Sequence, residues 1–213
     1  MSAPSSVHFG HLLRVLRYLQ GTSSQCIFCA RDNSLQLHAY SNSTWVSDPT
    51  DRRSISGYCI LLGSSPLAWK SKKQTAVSRS STEAELRALA TTTAEIVWLR
   101  WLLTDFGVSC DTPTPLLCDN TRAIQIANDL VKHELTKHIG VDASFTRSHG
   151  HQKTIALQYV PSELQLADFF TKAQTRAKQH GYGYVYRYRK DTDTQIRHFS
   201  KKTRYTDTFY LKI

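Results

Sequence analysis

Three strand-like runs follow one another before the first long helical pattern, and this order constrains the fold more than any single residue does. Leu35, Leu37 and Ala39 alternate with Gln36, His38 and Tyr40, which is the period of a half-buried strand. The run reads as the organising strand and as breaking into a polar turn at Ser41-Asn42-Ser43-Thr44. Gly57–Leu62 and Pro66–Ser71 follow as two further strands, joined by a turn at Gly63-Ser-Ser. Three strands in a row with short links predict an antiparallel meander. Before it, Val7–Leu19 reads as a helix that stops at Gly21, and Gln25–Ala30 as a short apolar segment.

After the meander the period changes. Ser80 and Glu83 have capping-box spacing, so a helix starts there and runs to about Phe106, with Gly107 as its stop. Its residues divide into two stripes. Glu83, Arg87, Thr91 and Glu95 form a polar one, with Glu83–Arg87 as a surface ion pair. Glu85, Ala88, Thr92, Ile96, Leu99 and Leu103 form the core-facing one. Glu85 is thus a carboxylate on an apolar face, which costs free energy unless it is paired or bound to a metal. Leu116–Asp119 reads as a strand, with a helix through Ala127 after it and Asp119 at the junction as an N-cap candidate. Thr136–Ser148 reads as helical, Ile155–Val160 as a strand that Pro161 ends, and Glu163–Lys172 as a helix carrying Asp168, with a second capping-box spacing at Ser162 and Gln165. Strands separated by helices add in parallel. The fold class is therefore α/β, with a mixed sheet of five strands flanked by helices.

Composition bounds the rest. The chain has 213 residues and is 40% apolar, enough for one domain with appendages. Of its net charge of +10, +7 falls in residues 173–213 and only +3 in the first 172. A basic chain points to nucleic acid, but here most of that signal lies in a tail where Tyr182, Tyr184, Tyr186 and Tyr188 alternate with other residues. Such a tail either binds strands by stacking and charge or is poorly ordered, and the second reading is the simpler. Five cysteines, of which only Cys26 and Cys29 stand close together, read as structural thiols in a reducing, intracellular setting, cytoplasm or nucleus, rather than as a zinc site. No apolar run has the length of a membrane span. Arg14 and Arg17, with no acid before Asp32, are compatible with mitochondrial import, though an ordinary basic-faced helix explains them as well.

Singly, Asn42, Glu85, Asp119 and Asp168 are ordinary residues. Together they place one polar group at the end of the first core strand, one near the start of the long helix, one at the end of the fourth strand and one on the last helix. Converging carboxylates of this kind hold two divalent ions for phosphodiester hydrolysis, and hard oxygen ligands suit Mg²⁺ or Mn²⁺.

The wording of several segments then resembles one family. Tyr40-Ser-Asn-Ser-Thr-Trp45, Asp48-Pro-Thr-Asp-Arg-Arg-Ser-Ile-Ser-Gly-Tyr58, Trp69-Lys-Ser-Lys-Lys-Gln74, Ser78-Arg-Ser-Ser-Thr-Glu-Ala-Glu85, Cys118-Asp-Asn120, Thr136-Lys-His-Ile139 and Tyr159-Val-Pro-Ser-Glu-Leu-Gln-Leu-Ala-Asp-Phe-Phe-Thr-Lys172 resemble the ribonuclease H region of copia-type retrotransposon polyproteins, especially plant ones. Arg14-Val-Leu-Arg-Tyr-Leu-Gln-Gly-Thr22 is similar to the segment that follows the reverse transcriptase. The resemblance divides the chain into residues 1–24, a domain of residues 25–172 and the tail. It implies an RNase H-like fold, a two-ion Mg²⁺ or Mn²⁺ site and cleavage of the RNA strand of RNA–DNA hybrids, with a reverse transcriptase in cis or trans as partner.

By position, Glu85, Asp119 and Asp168 match three family carboxylates, while Asn42 stands where the family has its first Asp. Thr44, Gly140 and Ser144 depart from polar family positions too. Three carboxylates facing two dications imply weakened metal binding, and Asp48 and Asp51 lie too far along a loop to replace the lost charge. The expectation is an impaired nuclease. The alternatives are a non-catalytic nucleic-acid-binding module and a functionless element remnant. Arg52, Arg53, Lys70, Lys72 and Lys73 are the candidate phosphate contacts. His149 and His151 are read as exposed loop residues.

Overall fold

The computed structural model describes residues 3, 5–21, 29, 33–129 and 140–172. They fall into two units, one holding the first helix and the other spanning Ala30–Gln174. In the first unit, α1 is Ser6–Gly21. The Gln25–Ala30 segment, the first part of the Thr136–Ser148 helix and the whole tail lie outside the described residues, Cys29 apart.

The second unit is a five-stranded sheet in the order β3-β2-β1-β4-β5. β1 (Leu37–Thr44), β2 (Ile55–Leu62) and β3 (Ser65–Lys73) form the antiparallel meander, and β4 (Thr114–Cys118) and β5 (Ile155–Tyr159) add in parallel. This is the expected α/β architecture, an RNase H-like fold with β1 at the centre. One expectation needs correcting. Ser41-Asn42-Ser43-Thr44 is not a turn but the last part of β1, and it keeps register with β2 through Asn42–Gly57 and Thr44–Ile55. Backbone pairing to β2 holds these polar residues extended, whatever their turn propensity.

The two faces of the sheet are covered by different helices. Adjacent strand residues point to opposite faces. Tyr58 faces Glu95 of α2 (Ser81–Asp105), and burial first and then the Glu95 charge raise its phenol above the ordinary value, whereas its neighbour Gly57 lies beneath Phe170 and Thr171 of α5 (Asp168–Thr171). The core forms under α2, with Ile60, Leu86, Leu89, Ile96 and Leu116 fully buried.

Helix α2 starts as its sequence predicts. Ser80 is the N-cap, and its Oγ accepts from the Glu83 amide at 3.1 Å. Glu83, expected on the solvent face, is in fact buried. Its carboxylate accepts from the Arg79 amide and the Arg87 guanidinium, both at 2.8 Å, so the ion pair is real but is not a surface one. After β4 come α3 (Thr121–Asn128) and α4 (Gly140–His151). Asn120, not Asp119, caps α3, accepting from the Ala123 amide. His149 and His151 lie in the last turn of α4 rather than in a loop. The expected helix from Glu163 to Lys172 is two pieces, a 3₁₀ turn at Ser162–Leu164 and the four-residue α5. Its capping box does not form: Pro161 takes the N-cap position, Ser162 is the first residue of the 3₁₀ turn, and its Oγ donates to Asp119.

Candidate active site

Three of the four residues singled out above line one cleft, and the fourth, Asp168, is tied to it through Asn42. Asn42 comes from β1, Glu85 from the second turn of α2, Asp119 from the residue after β4 and Asp168 from the start of α5. Asn42, Glu85 and Asp119 line an open cleft at the strand ends, together with Ser43, Asn120, Thr121, Arg122 and Lys172. Asp168 reaches its edge through a hydrogen bond from Asn42.

Glu85 is held rigidly. Its Oε1 accepts from the backbone amide of Ser43 at 2.8 Å, and the Cys118 thiol lies 3.8 Å from Oε2. Burial pushes its carboxyl group up to about 8; the Ser43 amide opposes that rise, and the charge of Asp119 adds to it. Burial also raises the Cys118 thiol, and the neighbouring Glu85 charge raises it further, so at neutral pH Cys118 keeps its proton. Ligand atoms of Glu85, Cys118 and Asp119 lie within 4.8 Å of one another. Asp119 is oriented by Ser162 Oγ at 2.7 Å. A hard divalent cation prefers carboxylate oxygen to a protonated thiol, so Glu85 and Asp119 are the two residues that fit one.

Asp168 is arranged differently. It is buried, and its Oδ1 accepts from Asn42 Nδ2 at 2.6 Å. Lys172 Nζ bonds Oδ1 at 2.6 Å and Oδ2 at 2.7 Å. Asn42 Nδ2 also donates to Thr171 Oγ1 at 2.6 Å.

Several supporting residues were not singled out from the sequence. Lys172 and Thr171 end the Tyr159–Lys172 motif, where nothing in the residue pattern marks them as partners of Asp168 and Asn42. Gln165 is fully buried, and its Nε2 donates to the Ser41 carbonyl at 3.0 Å, tying the turn before α5 to β1. Gln74 Nε2 donates to Ser56 Oγ and to the Ala84 carbonyl, linking β2 to the start of α2. A buried amide in a polar motif was the available signal in both cases. Gly57 is a further omission. A Cβ there would stand 2.7 Å from Thr171 Cγ2 and 2.9 Å from Phe170 Cβ, so only glycine lets α5 lie this close to β2.

The candidate phosphate contacts do not form one stripe. Lys70 and Lys72 pair with Tyr58 and Ser56 and share their face of the sheet, whereas Lys73 pairs with Ile55 and takes the other. Lys73 is bonded to Asp48 and lies 2.9 Å from Asp51, and Arg53 lies 3.7 Å from Asp51. Arg52 is exposed. Asp48 and Asp51 are thus engaged with Lys73 and are not cleft ligands. Arg122, at the start of α3, is a cleft cation that the sequence reading missed.

No family model matches the chain. A retrovirus-related Pol polyprotein from transposon RE2 of Arabidopsis thaliana is 42% identical over 176 residues, 83% of this chain and 12% of that protein. The corresponding RE1 polyprotein is 41% identical over the same length. The chain therefore spans about an eighth of the length of these relatives. Among solved structures, the match to the N-terminal RNase H domain of a Mycobacterium tuberculosis protein, as a fusion with maltose binding protein, covers 65% of this chain and 91% of that one, with a TM-score of 0.46 and 17% identity. The chain belongs with the retrovirus-related Pol polyproteins of copia-type retrotransposons, of which it matches a segment of 176 residues.

Proposed function

We propose that this domain acts on RNA–DNA hybrids as a metal-dependent nuclease with little remaining activity, because Asn42 has replaced a carboxylate. The observation that carries the reading is the opposition of Glu85 and Asp119 in an open cleft beside an Asp168 that is bonded to an amide and an ammonium. When bound, Mg²⁺ or Mn²⁺ supplies activation of water and stabilisation of the leaving oxygen. The chain's own groups do the positioning. The Ser43 amide fixes Glu85, Ser162 fixes Asp119, and Arg122 at the cleft wall offers a positive charge to a phosphate. A reverse transcriptase region, in cis or in trans, fits as the partner that produces the hybrid, and an intracellular setting accompanies that role.

Cleavage of a labelled RNA–DNA hybrid with Mg²⁺ or Mn²⁺ tests this. The wild-type chain is expected to cleave roughly a hundredfold or more below its Asn42→Asp variant, which corresponds to about 3 kcal/mol of transition-state stabilisation. Adding Asp119→Asn to that variant abolishes the gain. Wild-type cleavage that survives Asp119→Asn assigns the activity to another site. A second reading, hybrid binding without cleavage, is favoured by the same Asn42–Asp168 bond. It holds if every variant binds the hybrid and none cuts it.

A further inference from the structure

A buried carboxylate needs its charge met, and at Asp168 the chain meets it internally. The Asp168 side chain is 6% exposed. Asn42 Nδ2 and Lys172 Nζ converge on Oδ1, both at 2.6 Å, and Lys172 reaches Oδ2 as well. Lys172 stands one helical turn beyond Asp168, so α5 itself carries the ammonium into place. Both hydrogen bonds from the Asn42 side chain leave its Nδ2, one to Asp168 and one to Thr171 Oγ1. A carboxylate at position 42 could donate neither. It would face Asp168 at hydrogen-bond distance, acceptor against acceptor, and Lys172 alone would leave one negative charge of the two unmatched.

We propose that Asn42 and Lys172 together stand in for a divalent cation at Asp168, so that this half of the cleft is complete without metal. The chain then takes one divalent ion, between Glu85 and Asp119; this second part rests on the metal-dependent reading above, and the first does not. Asn42 is therefore more than a lost ligand. It is the residue that allows β1 and α5 to close on each other through a direct hydrogen bond.

Mn²⁺ titration followed by electron paramagnetic resonance, with thermal unfolding in EDTA and in Mn²⁺, tests this on the full chain. The wild type is expected to bind one Mn²⁺, and Asn42→Asp to bind two. In EDTA, Asn42→Asp should melt roughly 5 °C or more below wild type, and Mn²⁺ should raise its Tm by more than it raises the wild-type value. Lys172→Met should show the same pattern of a lower Tm in EDTA and a larger Mn²⁺ response, and it decides the matter if Asn42→Asp does not fold. Two Mn²⁺ ions on the wild type, or a Lys172→Met variant with an unchanged Tm in EDTA, would overturn the proposal. A wild type that binds no Mn²⁺ while Lys172→Met is destabilised would remove the nuclease reading and leave the internal neutralisation of Asp168 standing.

Discussion

Glu85 shows how a single side chain records what its site is built to hold. It is buried, fixed by the Ser43 amide and faced by the negative Asp119, so that with no metal ion bound its proton is retained to about pH 8 even though the Lys172 ammonium opposes this. The sign of the consequence follows from proton counts. Between the ordinary value of 4.5 and about 8, the folded chain holds a proton that the unfolded chain has lost. Glu85 therefore contributes stability that is fully present below pH 4.5 and is lost as pH rises through 8. In EDTA, denaturant unfolding should show stability falling over this window, with a slope of at most about 1.4 kcal/mol per pH unit from this group. Asp142, also raised by burial, adds the same sign. Glu85→Gln should flatten most of the fall, and a slope unchanged in that variant would mean that Glu85 is not its source. The sequence made Glu85 legible because an acid on an apolar helix stripe is conspicuous. It did not reveal Glu83, because an i,i+4 pair with Arg87 looks the same whether it is wet or buried, and only the bond from the Arg79 amide explains the burial.

At the scale of elements, the long periodic runs were readable and the short, tertiary-determined ones were not. Helix α2 has a cap, two faces and a glycine stop, all local signals, and it forms within two residues of its expected bounds. The end of β1 and the four residues of α5 have no such local code. β1 stays extended because β2 pairs with it, and α5 is positioned by Gln165 bonding β1 and by the space above Gly57. The register that sets Gly57 opposite Asn42 also places Thr171 over both. Gly57→Ala puts a methyl group into contact with the Cβ of Phe170 and the Cγ2 of Thr171, so α5 must move. Overpacking of this kind should cost about 1–3 kcal/mol, measurable by chemical denaturation. The displacement carries Asp168 with it, so Gly57→Ala should also lower whatever cleavage Asn42→Asp restores. A fully stable Gly57→Ala chain would show that α5 is not held against β2.

Over the whole molecule, the proposed hybrid binding needs a source of positive charge. The net of +10 suggested a nucleic-acid protein, yet the first 172 residues hold only +3 of it, and the structure divides even that. Sequence proximity grouped Lys70, Lys72 and Lys73, but strand alternation sends Lys73 to the opposite face, where Asp48 and Asp51 already neutralise it. Lys70 and Lys72 remain as exposed cations on the edge strand, and Arg122 adds one at the cleft. Each phosphate that a protein cation neutralises releases counterions, so the logarithm of affinity falls with the logarithm of salt in proportion to the number of contacts. In the full chain, any contribution of the tail to this slope is the same in every variant, so single substitutions read out the domain's share. Lys70→Ala and Lys72→Ala should each reduce the slope by about 0.9 if the side chain meets a duplex phosphate. Lys73→Ala should change it by much less, because its charge is already spent on two carboxylates, although removing it leaves those carboxylates to repel the hybrid at every salt concentration. Arg122→Ala should reduce the slope and, in an Asn42→Asp background, lower cleavage as well, since that side chain stands beside Glu85 and Asp119 rather than on the sheet edge. Equal slopes for wild type, Lys70→Ala, Lys72→Ala and Arg122→Ala would place the binding outside the sheet and cleft, on the remaining basic residues of the chain.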